Sequence, residues 1–203
     1  TNAWAIEQAR KLGVPFYILE NHWIWGMALA NRGQLTEAAD VLKSAIRLAE
    51  LNCERYFAPR LTVTLAWVYE EMQDTESSMR LGTEAVQLGR EMNVRDAEAY
   101  ARLHLARQSR VFADSKQAAE HLQHAEALLT QDHLFKWRHM ICLQEELASY
   151  WLVCGDLTRA AAHAVSALEQ ANRTVSRKHV AWARKLVGDI AARGERFDEA
   201  ASA

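Results

Sequence analysis

The chain has 203 residues, half of them hydrophobic and only two of them proline, with a formal net charge of −2. That length allows one or two ordinary domains, the composition argues against disorder, and the charge provides no global attraction to nucleic acid or an anionic membrane. Three cysteines without a CxxC pair do not make a disulfide scaffold, so reducing cytoplasm is the expected setting. Neither an apolar run of about 20 residues nor a signal peptide is visible.

In chain order, the first pattern is AWAIEQARKLG, a helix ending at Gly13. It has no partner helix before it, and is expected to continue from a longer protein. Pro15 suits a first helical turn. Apolar periodicity then predicts helices over 16–31, 36–51, 59–72, 76–92, 96–111, 115–130, 137–154, 158–172 and 177–193. In the first of these, Trp25 falls on the core side and Trp23 on the other. Gly82 and Gly89 lie mid-helix in 76–92, where each costs about 1 kcal/mol against alanine unless a close contact offsets it.

The same arrangement recurs along the chain. Ala5, Ala45, Ala85, Ala125 and Ala167 are about 40 residues apart, inside the period range of helical solenoids. GQLTEA, GDLTRA and GERFDEA each join one helix pattern to the next, with weaker copies in QDTESS and ADSKQA. A small residue precedes each turn: Gly26, Ala66, Ala106, Ala148 and Gly188. A second follows at Ala38, Ala118 and Ala160, and a third at Ala45, Ala85, Ala125 and Ala167. Small side chains at these spacings mark the faces where two helices approach closely. Each unit is a helix, a tight turn, a second helix and a looser link. Because such a pair buries little alone, units must stack. The expected organisation is one repeat domain over 1–203. It divides into a partial unit at 1–13, units at 14–53, 54–93, 94–133 and 134–175, and a final partial unit at 176–203.

These positions resemble the tetratricopeptide repeats. The four full copies carry Gly26, Leu29, Gly33, Ala38 and Ala45; Ala66, Tyr69, Asp74 and Ala85; Ala106, Asp114, Ala118 and Ala125; and Ala148, Trp151, Gly155, Asp156, Ala160 and Ala167. The resemblance covers almost the whole chain. Departures are Ser78 in place of an alanine, the longer period against the family's usual unit of about 34 residues, and no proline closing the second helix. The longer unit, and SRKHVAWARKLVGDIAARG near the end, look like the branch found in sensor regions of maltose-regulon-activator-like regulators and in large nucleotide-binding regulators or cyclases. The resemblance implies an all-α fold, a right-handed α-solenoid of antiparallel helix pairs, with a groove along its first helices.

Motifs for chemistry are sparse. No phosphate-binding loop, dinucleotide fingerprint, zinc-protease motif or nucleophile elbow occurs. His121 and His124 lie three apart, near His133 and His139, but no cysteine or carboxylate completes a recognised ligand spacing, so neither metal nor cofactor is expected. In Glu70-Glu71 and Glu145-Glu146 adjacent side chains diverge, and one of each pair is expected to face water. Cys142 and Cys154 read as buried fillers, with Cys53 more accessible.

Transferring the family's groove positions places Trp23, Arg60, Trp67, Tyr100, Arg107, Arg110, Glu145, Trp182 and Lys185 on the inner side. Aromatics and arginines are the types that dominate interface hot spots. The expectation is a non-catalytic, cytoplasmic interaction or sensing module of a bacterial regulator. It would bind a protein or peptide, or a small ligand, without direct contact to nucleic acid or membrane, and could oligomerise through exposed terminal helices. The alternative is an accessory domain of an ATPase or nucleotide cyclase whose catalytic part lies elsewhere.

Overall fold

A computed structural model describes Trp4 and residues 15–52, 54–130 and 135–195. Apart from Trp4, the helix expected at the start of the chain lies outside the described residues, as do Cys53, His133 and Ala200. Among those described there are nine α-helices and no strand: α1 (Pro15–Asn31), α2 (Leu35–Leu51), α3 (Ala58–Glu71), α4 (Thr75–Glu91), α5 (Arg95–Val111), α6 (Ser115–Leu128), α7 (Lys136–Val153), α8 (Leu157–Arg173) and α9 (Arg177–Arg193). A 3₁₀ turn, Arg55–Phe57, leads into α3. Each α-helix matches a predicted one to within two residues at either end. None of these helices is long and apolar enough to cross a membrane.

Most helices are cut to a similar length by one device. After the last helical turn, one residue takes a left-handed conformation and the next N–H reaches back five residues. The reaching bonds are Gln34 to Leu29 (3.0 Å), Asp74 to Tyr69 (2.9 Å), Val94 to Gly89 (2.7 Å), Asp114 to Ser109 (2.8 Å), Asp156 to Trp151 (3.0 Å) and Ser176 to Ala171 (3.0 Å). This is the Schellman closure, which satisfies carbonyls that the helix end would otherwise strand. Gly33 and Gly155 fill the left-handed position with φ of 78° and 81°, but Gln73, Asn93, Ala113 and Val175 do so with side chains, at φ of 53–63°. Asp74, Asp114 and Asp156 then cap the next helix through the backbone N–H of Ser77, Gln117 and Arg159. The links at Asn93-Val94 and Val175-Ser176 have the same closure as the turns inside a repeat. The looser link expected between units is therefore absent at those two places.

The chain forms two compact units, residues 1–104 and 105–203, with the division inside α5. In the first, α1 packs on α2 and α3, α2 on α3, and α3 on α4. Leu19, Leu42, Leu61 and Val68 are wholly enclosed there. Gly26 shows why that position is small: a Cβ would lie 2.7 Å from two atoms of Leu42. In the second, α6 packs on α7, α7 on α8 and α9, and α8 on α9. Ala148, Ala160, Ala164, Leu186 and Ile190 form its core beneath Trp151 and Leu152. Every small residue assigned to helix packing by the repeat is buried except Gly188, which is half-buried. The protein is all-α, built of sequence-adjacent helix pairs in the manner of an α-solenoid.

Candidate functional site

The inner-face positions read from the sequence meet different fates in the two units. In the first unit most are consumed by the interior. Trp23 is 7% exposed and its indole N–H donates to Thr64 at 2.8 Å, whereas Trp25 is only half-buried. Trp23 is thus the more deeply buried of the two, contrary to expectation, because it points at the neighbouring first helix one repeat on. Arg60 is 4% exposed, grips both Asp96 carboxylate oxygens at 2.7 Å, and lies 4.5 Å from the centre of the Tyr56 ring. Trp67 is 6% exposed, with its N–H on Glu71 at 2.9 Å. Tyr100 packs on Val63, Ala85 and Ala101. His104, buried, joins Ser78 (2.9 Å) and Glu70 (3.3 Å).

In the second unit, Arg107 and Arg110 do converge as their three-residue spacing predicts, but on an internal carboxylate. Glu146 receives Arg107 at 2.6 Å and Arg110 at 3.4 Å. Glu145 beside it accepts from Nδ1 of His179 on α9, at 3.0 Å. Glu145 and Glu146 are both 3% exposed, so neither faces water as expected. Burial pushes the Glu145 carboxyl above its ordinary range, and the hydrogen bond from His179 opposes that rise. Cys142, one turn earlier, is buried, and burial raises its thiol to about 12. Cys154 is exposed, contrary to the expectation of a buried filler. His139 is also buried, while His124 is exposed with Nδ1 at the Glu120 carbonyl.

These polar links share a geometry. Trp23 to Thr64, Arg60 to Asp96, Arg107 to Glu146 and His179 to Glu145 span 41, 36, 39 and 34 residues. Each joins the first helix of one repeat to the first helix of the next. Nothing in the apolar period marked His104, His179 or Asp96, since a polar residue on that face reads as solvent-facing until its neighbour is in place.

Two of the inner-face positions, Trp182 and Lys185 on α9, are exposed. Trp182 is 42% exposed, a large aromatic in water. The Lys185 ammonium sits 5.7 Å from its ring centre and pairs with Asp189 at 2.5 Å. Arg177, Lys178, Arg184, Lys185 and Arg193 are all exposed on this helix, against a single acidic residue, Asp189. An exposed ring within a basic helix can stack on an apolar group while its neighbours hold an anion.

No protein-family model matches the chain, and no curated protein does. Among solved structures it is similar to BtubC (BKLC) from P. vanneervenii, with a TM-score of 0.71 and 15% identity over 99% of this chain and 84% of that one. The likeness is one of fold. The chain is an all-helical, repeat-like protein.

Proposed function

We propose that this chain is a non-catalytic interaction module of tetratricopeptide type, from the longer-unit branch of bacterial signalling regulators. Its partner is an acidic peptide segment carrying an apolar side chain. The observation that carries this reading is the α9 surface: Trp182 exposed among five basic residues. Trp182 and Lys185 are also two of the positions that the family resemblance assigns to the partner side. Trp23, Arg60, Trp67 and Glu145 are buried in their own units and play no part in it. A desolvated Trp in contact with a ligand is a typical interface anchor, and Lys185 is already held beside it.

The test is fluorescence anisotropy with a panel of labelled peptides, each acidic with one Leu or Phe, set against the same peptides with Lys in place of the acids. The acidic members should bind, and Trp182→Ala should weaken them about tenfold or more, since anchor residues contribute roughly 2 kcal/mol. Lys116→Ala on α6 should not. Binding that ignores peptide charge, or that survives Trp182→Ala unchanged, refutes the proposal.

A further inference from the structure

The cluster at the α7–α9 contact of the second unit has more in it than an ion pair. We propose that Cys142, Glu145 and His179 form a three-ligand site for a divalent transition-metal ion of zinc's borderline softness. One ligand atom from each lies within 4.8 Å of the other two. His179 Nδ1 is 3.0 and 3.1 Å from the two Glu145 oxygens. A tetrahedral zinc ion with bonds of about 2.0–2.3 Å holds its ligand atoms roughly 3–4 Å apart, so small side-chain rotations suffice to close the set.

The backbone positions this set without strain. Cys142 and Glu145 are three residues apart on α7 and share a face. His179, in the first turn of α9, reaches them because α9 packs on α7. Cys142 and Glu145 are 5% and 3% exposed, while the His179 side chain keeps 13% exposure and marks the way in. Glu146 already takes the two guanidinium groups, leaving Glu145 turned toward the imidazole.

The charges suit a dication. A thiolate and a carboxylate with a neutral imidazole carry two negative charges, so the ion would leave the buried set neutral. Without a cation the burial-raised thiol keeps its proton. Binding exchanges the S–H bond for a metal–sulfur bond, and that proton leaves to solvent. The neutral imidazole ligates through Nδ1 with its single proton on Nε2, so the proton that Nδ1 shares with Glu145 passes to Nε2 by way of solvent and the nitrogen lone pair is freed. Mixed sulfur, nitrogen and oxygen donors select zinc over magnesium or calcium. Three protein ligands leave a fourth position for water or a donor from outside.

The experiment is titration of the chelator-treated full chain with Co²⁺, read by absorbance, and with Zn²⁺, read by calorimetry and thermal melting. The wild type should show a sulfur-to-cobalt charge-transfer band and tetrahedral ligand-field bands, both lost on adding Zn²⁺, and a higher melting temperature with Zn²⁺. Cys142→Ala should lose the sulfur band and the thermal shift. Glu145→Gln, which keeps a hydrogen-bond partner for His179, should lose Zn²⁺ affinity about 100-fold or more, at least what removal of an outer-shell partner costs. Cys154→Ala and His124→Gln should behave as wild type. If Cys142→Ala fails to fold by circular dichroism, Glu145→Gln carries the test. A wild type without the sulfur band, or a Zn²⁺ response unchanged in Glu145→Gln, would mean the three groups are an internal polar cluster only and overturns the proposal.

Discussion

Gly89→Ala should destabilise the protein, although helix propensity alone says the reverse. Gly89 lies inside the last turn of α4, and an alanine there would ordinarily gain about 1 kcal/mol. In this structure its Cβ would sit 2.9 Å from the backbone nitrogen of Glu98, 3.0 Å from that residue's Cβ and 3.1 Å from its Cα. Ordinary contact is several tenths of an ångström longer, and the neighbour is a helix backbone, which cannot swing aside. Retreat of α5 is resisted from two directions. The Val94 N–H is tied to the Gly89 carbonyl at 2.7 Å, and Asp96 in the first turn of α5 holds Arg60 in two short bonds. Overpacking of a rigid contact costs about 1–3 kcal/mol, and backbone on both sides places this one in the upper part of that range. Set against the propensity gain, the net loss is about 1–2 kcal/mol. Equilibrium urea unfolding measures it, with the midpoint falling and the slope unchanged. A rise in the midpoint would show that α4 and α5 are not in backbone contact at this position, and the account of small residues as markers of helix approach would fail with it.

Three further outcomes follow from the same geometry. Ala160→Leu, at a wholly enclosed position in the core of the second unit, should lose about 1–3 kcal/mol by urea unfolding, whereas Ala162→Leu on the exposed side of α8 should change little; equal shifts would contradict the core assignment. Val175→Gly should stabilise the protein by about 1 kcal/mol, because a β-branched residue at φ 53° and 81% exposure is strained without any packing return, and a lower urea midpoint would refute this. Asp156 has its carboxyl below the ordinary value because it accepts from the backbone and side chain of Arg159. Its stabilising contribution is therefore complete above the unfolded value near 3.8 and disappears as pH falls through the lower folded value. The gap in urea midpoint between wild type and Asp156→Ala should be open at pH 6 and narrow at about pH 2; a gap that widens in acid has the wrong sign.

Much of the fold was legible in the sequence, because its signals are local. A helix of fixed length leaves its period in a few turns of chain, and a close helix crossing leaves alanine or glycine where nothing larger fits. That is why Ala38, Ala45, Ala160 and Ala167 could be placed without coordinates. The turns were only half legible. GDLT announces a left-handed glycine and an aspartate cap, and Asn93 is a residue type that tolerates the left-handed position, but Val175-Ser176 makes the same closure with a β-branched residue that carries no turn signature, held there by the reaching N–H bond.

The inner face was where sequence alone ran out. That Arg107 and Arg110, three residues apart, point the same way followed from their spacing on the helix. What they converge on did not: the carboxylate of Glu146 lies a repeat away, and a rotation of either helix by one residue would point it elsewhere. The same holds for Trp23 against Trp25, and for the meeting of Cys142, Glu145 and His179. Periodicity records how often a side chain faces its neighbours. Which atoms then touch depends on the relative register of two packed helices, and that register is set by the whole contact, Gly89 against Glu98 or Gly26 against Leu42, rather than by either helix alone.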